Sequence, residues 1–231
     1  MTRFLIYLFS LFFLPFAWPA FQNFSIDNGL SQSVVFDIQQ DQQGFVWFST
    51  QAGLNRFDGN EFIVFSSTGE NNSLTNNYIY PLALDNESHL FIGTRNGGVN
   101  QLPLYDYQFS SPILTDYRIT SLFVDSHVLY IGTYDGSLFA YNKRNEKVTP
   151  LVRDIKKPIY AITKIHDVLW LGTHGAGLIH YDLAKQQPVS TLLNGFTKPP
   201  SIHSSIFAIK QANDETIWLA SQGGGLFKID L

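Results

Sequence analysis

Two arginines, a histidine, a tyrosine and several amides and hydroxyls stand at matching places along this chain, and they are its best candidates for chemistry. Gln51, Arg95, Tyr134, His174 and Gln222 each directly follow a recurring hydroxyl residue: Thr50, Thr94, Thr133, Thr173 and Ser221. Ser33, Asn77, Arg118 and Ser205 lie just ahead of a second recurring position, occupied by Val35, Ile79, Ile119, Ile159 and Ile206. The chemistry these types offer is recognition. A guanidinium presents a planar fork of donors to a carboxylate or sulfate, and a tyrosine face stacks on a ring. Bond-breaking has less support. Ser, His and Asp are all present, but no Gly-x-Ser-x-Gly strand-to-helix elbow occurs. His174 and His180 lie on a turn and the following strand, without the helical i, i+4 spacing of a metal pair. Asp41, Asp85, Asp125 and Asp214 recur at equivalent turns, where an Asp side chain bonds its own backbone two residues on. His166-Asp167 is likewise a hairpin turn. The glycines serve tight turns and close sheet packing, because no helix follows them to form a phosphate cradle. No catalytic residue, metal site or cofactor is expected.

The elements that position these residues come from a repeated phrase. Val46-Trp47-Phe48-Ser49-Thr50 returns as Leu90-Phe91-Ile92-Gly93-Thr94, Leu129-Tyr130-Ile131-Gly132-Thr133, Leu169-Trp170-Leu171-Gly172-Thr173 and Ile217-Trp218-Leu219-Ala220-Ser221. A period of roughly 40 residues made of short strands and Gly turns marks a β-propeller. In the first copy, Val34 to Gln40 is a strand and Asp41-Gln42-Gln43-Gly44 a turn. Phe45 to Thr50, Leu54 to Phe57 and Glu61 to Ser66 are further strands, the last hairpin closing on Asp58-Gly59. The fold class is all-β, a propeller of four-stranded antiparallel blades. Its repeats run approximately 33–66, 77–110, 117–150, 157–192 and 204–231. In such a blade, the turn after the Thr/Ser position and the residues entering the first strand share one rim. The fixed letters are explained by the fold, and the varying polar letters are free to form a site.

Composition agrees. Hydrophobic residues make up 45% of the chain and charged residues 15%, as strands covered on both faces require. The net charge of −4, without a Lys/Arg cluster, argues against a nucleic-acid surface. There are no cysteines, so zinc sites of the Cys type are excluded. Residues 1–20 have one early Arg and an apolar run from Phe4 to Phe16. They read as a secretory signal peptide or, with Trp18 where a small residue is preferred, an uncleaved N-terminal anchor. The run is short for a membrane span. The fifth copy ends with Leu226 to Leu231 as a third strand. The expectation is therefore part of a longer propeller, with Phe21 to Ile26 available as an outer strand.

From Gly29-Leu30-Ser31 through the Asp41-x-x-Gly44 turn and Trp47-x-x-Thr50 to Gly53-Leu54-Asn55-Arg56-Phe57-Asp58-Gly59, the chain resembles the two-component regulator propeller family. The resemblance extends over about residues 21 to 231. It implies a periplasmic sensor region: signal peptide, one or two seven-bladed propellers, a small β-sandwich, a membrane helix and a cytoplasmic histidine kinase or diguanylate cyclase module. No residue of either catalytic module is in this sequence. The expected function is a non-catalytic, extracytoplasmic ligand-sensing region. It would take a carbohydrate or other small ligand, with a homodimer in a full receptor. The alternatives are a secreted propeller lyase or glycosidase, and a protein-interaction platform of the envelope.

Overall fold

The computed structural model describes residues 21–189, 205–213 and 215–231. The signal-peptide reading of residues 1–20 and the turn at Asp214 lie outside these. Five antiparallel sheets follow one another along the chain. The first contains β1 (Val35–Gln40), β2 (Val46–Thr50), β3 (Gly53–Phe57) and β4 (Phe62–Phe65). The second has β5 (Ile79–Leu84), β6 (His89–Thr94) and β7 (Val99–Pro103). The third has β8 (Ile119–Asp125), β9 (Val128–Thr133), β10 (Leu138–Asn142) and β11 (Lys147–Val152). The fourth comprises β12 (Ile159–Ile165), β13 (Val168–Thr173), β14 (Leu178–Asp182) and β15 (Gln187–Val189). The fifth comprises β16 (Ser205–Asn213), β17 (Thr216–Gln222) and β18 (Gly225–Asp230). This is the expected all-β propeller architecture. In the second blade the outer strand is reduced to one bridge, with the Ile113 and Val99 backbones exchanging two 2.8 Å hydrogen bonds.

The turns form as their sequences dictate. Asp41 Oδ1 accepts from the N–H groups of Gln43 and Phe45, and Oδ2 accepts from Trp47 Nε1 at 2.8 Å. Asp85 Oδ1 accepts from Glu87 and His89 N–H in the same way. Asp125 departs from the pattern. Its hairpin shortens to Ser126-His127, and its carboxylate is 2.6 Å from Lys164 Nζ. Residues 21–25 form no strand. Ser25 caps a single 3₁₀ turn, Ile26–Asn28, which Gly29 ends in the left-handed conformation. Phe24 instead packs on Phe57 and Phe62, at ring distances of 4.8 and 5.8 Å. The capping box turns the chain before a strand can extend.

The core lies between blades rather than within one. Each apolar cluster joins neighbours: Trp47 with Ile79 and Leu90, Phe91 with Ile119 and Leu129, Tyr130 with Ile159 and Leu169, Trp170 with Ile206 and Ile217. Gly93, Gly132 and Gly172 admit this packing. A Cβ at Gly93 would meet Ile119 Cγ2 at 2.7 Å, and one at Gly172 would meet the Ile206 carbonyl oxygen at 2.8 Å. Hydroxyls add links across the same seams. Ser49 donates to the Tyr80 carbonyl and Ser121 to the Ile159 carbonyl, both at 2.7 Å. The first strands therefore line up as β1, β5, β8, β12 and β16, each beside the next.

Candidate ligand-binding site at the hub

These five first strands line an open cavity of about 670 Å³, to which each contributes consecutive residues. What points into it is set by a repeated irregularity. In β1, Val35 pairs with Thr50 and Asp37 with Ser49, so the ladder skips Phe36. The same skip passes over Tyr80 and Pro81 in β5, Thr120 in β8, Tyr160 in β12 and Phe207 in β16. A β-bulge leaves its extra residue unpaired, bends the strand and re-aims the side chain. All five blades use it at the hub, so Phe36, Tyr80, Tyr160 and Phe207 line the cavity with aromatic surface. The repeat's rim positions do not include these residues. The signal was present, since an aromatic follows the Val/Ile position in four copies of five.

The rim residues fall into two groups. Backbone hydrogen bonds of 2.9 Å run from Arg95 N to the Tyr78 carbonyl, from Tyr134 N to that of Arg118 and from His174 N to that of Pro158. In blades two, three and four the position after the Thr is thus held against the entry to the first strand. Arg118 lies under this rim. Its guanidinium carbon is 4.1 Å from the Tyr134 ring centre and 5.1 Å from that of Tyr80, and Nη2 donates to Tyr80 Oη at 2.8 Å. Arg95 covers Tyr78 at 5.0 Å, and Tyr78 stacks on Phe36 at 5.6 Å. His174 Nδ1 and Ser205 Oγ are 2.8 Å apart, and the two residues bridge blades four and five. Ser205 is buried, so this pair serves as a seam and offers no accessible nucleophile. Gln51, Ser33, Asn77 and Gln222 are exposed. Asn77 Oδ1 accepts from Ser67 N–H, which ties it to a loop outside the aromatic cluster. Gln222 pairs with Ser205 across the β16–β17 ladder.

Charge at the hub is sparse. Asp37 lines the cavity, and its carboxylate accepts from Ile38 and Leu82 N–H at 2.8 Å each. Burial raises its pKa, and those hydrogen bonds oppose the rise. Burial also pushes up the phenols of Tyr80 and Tyr160, and the Arg118 charge opposes it at both. His180 is not part of the site. It is buried beneath Trp170, with ring centres 4.2 Å apart. At the blade perimeter, Asp85, Glu87 and His89 bring potential metal-ligand atoms within 4.8 Å of one another. Lys143 Nζ is already 2.7 Å from Asp85 and 4.0 Å from Glu87, supplying the positive charge there.

The fold and the hub define a β-propeller of short antiparallel blades. Residues 29–52 match the family described as Two component regulator propeller, in agreement with the resemblance read from the sequence. A 53-residue stretch is 43% identical to Histidine kinase P4 of Formosa agariphila, covering 23% of this chain and 4% of that protein. Among solved structures, the extracellular domain of a B. thetaiotaomicron protein described as a hybrid two component system superimposes with a TM-score of 0.70. It is 23% identical, over 91% of this chain and 35% of that one. Another B. thetaiotaomicron extracellular domain, described as a one component system, gives a TM-score of 0.65 at 21% identity, over 87% of this chain and 28% of that one. The chain thus spans about a third of the length of the solved structures and a small fraction of the kinase. Among the described residues no helix is long and apolar enough to cross a membrane.

Proposed function

We propose that this chain is a non-catalytic, extracytoplasmic ligand-sensing propeller of a two-component-type receptor, and that its ligand docks at the hub. The observation that carries this is the aromatic-lined cavity of about 670 Å³ to which the first strands of all five blades contribute. A pocket of this size suits a small molecule or a short saccharide. Its bulged residues place aromatic side chains on the cavity wall from strands rather than from a mobile loop. The nearest hydroxyls with a catalytic look, Thr120 and Ser121, both donate to the Ile159 carbonyl and tie blades together. The similarity to extracellular domains supports a place outside the cytoplasm. Any kinase or cyclase output, and a homodimer that relays the signal, would belong to a larger receptor.

The test is calorimetric titration of the purified chain with neutral and acidic oligosaccharides, with product analysis of the same mixtures. Saturable binding without turnover is expected, weakened at least about tenfold by Tyr80→Ala or Tyr160→Ala, the range set by loss of an aromatic platform. Cleavage of a saccharide would move the protein into the enzyme class. Binding indifferent to both tyrosines would remove the hub from the site.

A further inference from the structure

We propose that the hub ligand is an anionic saccharide, and that Arg118 is the residue that holds its carboxylate or sulfate. This rests on the hub being the sensing site and adds the ligand's chemical class. The ion pairs of this chain give the first reason. Lys143, Lys164, Lys185 and Lys228 each have an Asp partner within 3.2 Å. Among the described residues no carboxylate lies within salt-bridge distance of any arginine, and Arg118 is the one hydrogen-bonded to a side chain that lines the hub, Tyr80. A half-buried guanidinium left without a counter-charge is unfavourable unless something supplies one.

The second reason is its setting. The Tyr80 and Tyr134 rings both lie against the guanidinium, and Tyr80 Oη accepts one N–H of Nη2. The plane of the fork is therefore fixed before any ligand arrives, and its Nη1 donors have no acceptor among the described residues. A planar two-oxygen anion suits such a fork better than a lysine would, because the donors are pre-aligned. The only carboxylate lining the cavity, that of Asp37, already accepts backbone N–H groups on the wall. The lining adds the Phe36, Tyr160 and Phe207 rings as apolar surface for a sugar, and Arg95 lies over Tyr78, whose ring stacks on Phe36, as a second cation next to that surface.

The experiment titrates the full chain with matched pairs: trigalacturonate against galactotriose, and a sulfated disaccharide against its desulfated form, at low and high salt. The acidic partner is expected to bind at least about tenfold more tightly, an advantage that shrinks as salt screens it. Arg118→Gln should abolish the advantage, and Arg118→Lys should restore only part of it. The carboxylate and sulfate arms identify which anion the fork prefers. Equal affinity within both pairs, or an advantage that neither salt nor Arg118→Gln reduces, overturns the assignment and leaves the sensing function standing. If no member of either pair binds and neutral ligands from the wider titration do, the anion is likewise refuted. If nothing binds at all, the hub reading itself fails. The salt dependence of the unmodified chain decides the question even where a variant does not fold.

Discussion

At the scale of single residues, two carboxylates carry opposite pH signatures. Burial raises the pKa of Asp37, so the folded chain holds that proton to higher pH than the unfolded chain does. Ionised Asp37 therefore lowers stability at neutral pH, and the fold gains as pH falls from the folded value towards the unfolded one. Asp37→Asn cannot make this gain. Urea unfolding of both proteins should show the variant losing ground to wild type as pH falls from neutral towards the unfolded carboxyl value, and a constant difference would show that Asp37 is not desolvated. Asp85 behaves in reverse. Burial acts to raise its pKa, but the Lys143 ammonium and the His89 and Glu87 N–H groups outweigh it, and the net shift is downward. The stability it contributes is complete above the unfolded pKa and is lost as pH falls through the folded one. The Asp85 side chain is fully buried and that of Lys143 nearly so. Lys143→Met should then cost about 3–5 kcal/mol at neutral pH, and the gap to wild type should close in acid.

At the scale of elements, the repeated glycine is explained by the blade that follows it. Gly93 and Gly172 sit where the Ile of the next first strand presses in, whereas Ala220 holds the equivalent position in the last blade. Gly172→Ala forces a Cβ against the Ile206 backbone and should cost about 1–3 kcal/mol by overpacking. Thermal unfolding would measure it, and a neutral result would mean the seam between blades four and five is looser than it looks. This also shows what could be read without coordinates. The Trp-x-x-Thr phrase, the Asp turns and the Gly positions each follow from local rules, so the blades and most strand limits were legible. That Arg118 and Tyr134, and His174 and Ser205, share one rim followed from strand order, while their pairing did not. The hub aromatics did not, because strict alternation along a strand assigns faces by parity and a bulge resets that parity. The fourth strand of the second blade also escaped, since pairing of Ile113 with Val99 depends on a tertiary approach that residue type does not encode.

At the scale of the molecule, the five blades form a series of seams, and the described core clusters join each blade only to its sequence neighbours. The same aromatic position exposes the consequence: Trp47 is fully buried, while Trp218 is 37% exposed, as is Leu226 at 65% on the next strand. Among the described residues blades two, three and four are therefore held from both sides, blade one from one side through Trp47 and Ile79, and blade five from one side through Trp170, Ile206 and Ile217. In a chain built this way, stability is close to a sum of unit terms and nearest-neighbour terms, and units with one neighbour open first. Native-state amide exchange should show β16–β18 less protected than β8–β10. Trp47→Ala should cost about 3–5 kcal/mol and Trp218→Ala much less, because a partly exposed side chain leaves less of a cavity. Gly172→Ala adds a directional test. It weakens only the seam between blades four and five, so it should speed exchange in β16–β18 and leave β8–β10 as they were. Uniform protection across all five sheets, or a loss spread evenly around them, would mean that blade five is held by a further contact and that the hub is closed by something other than this series of seams.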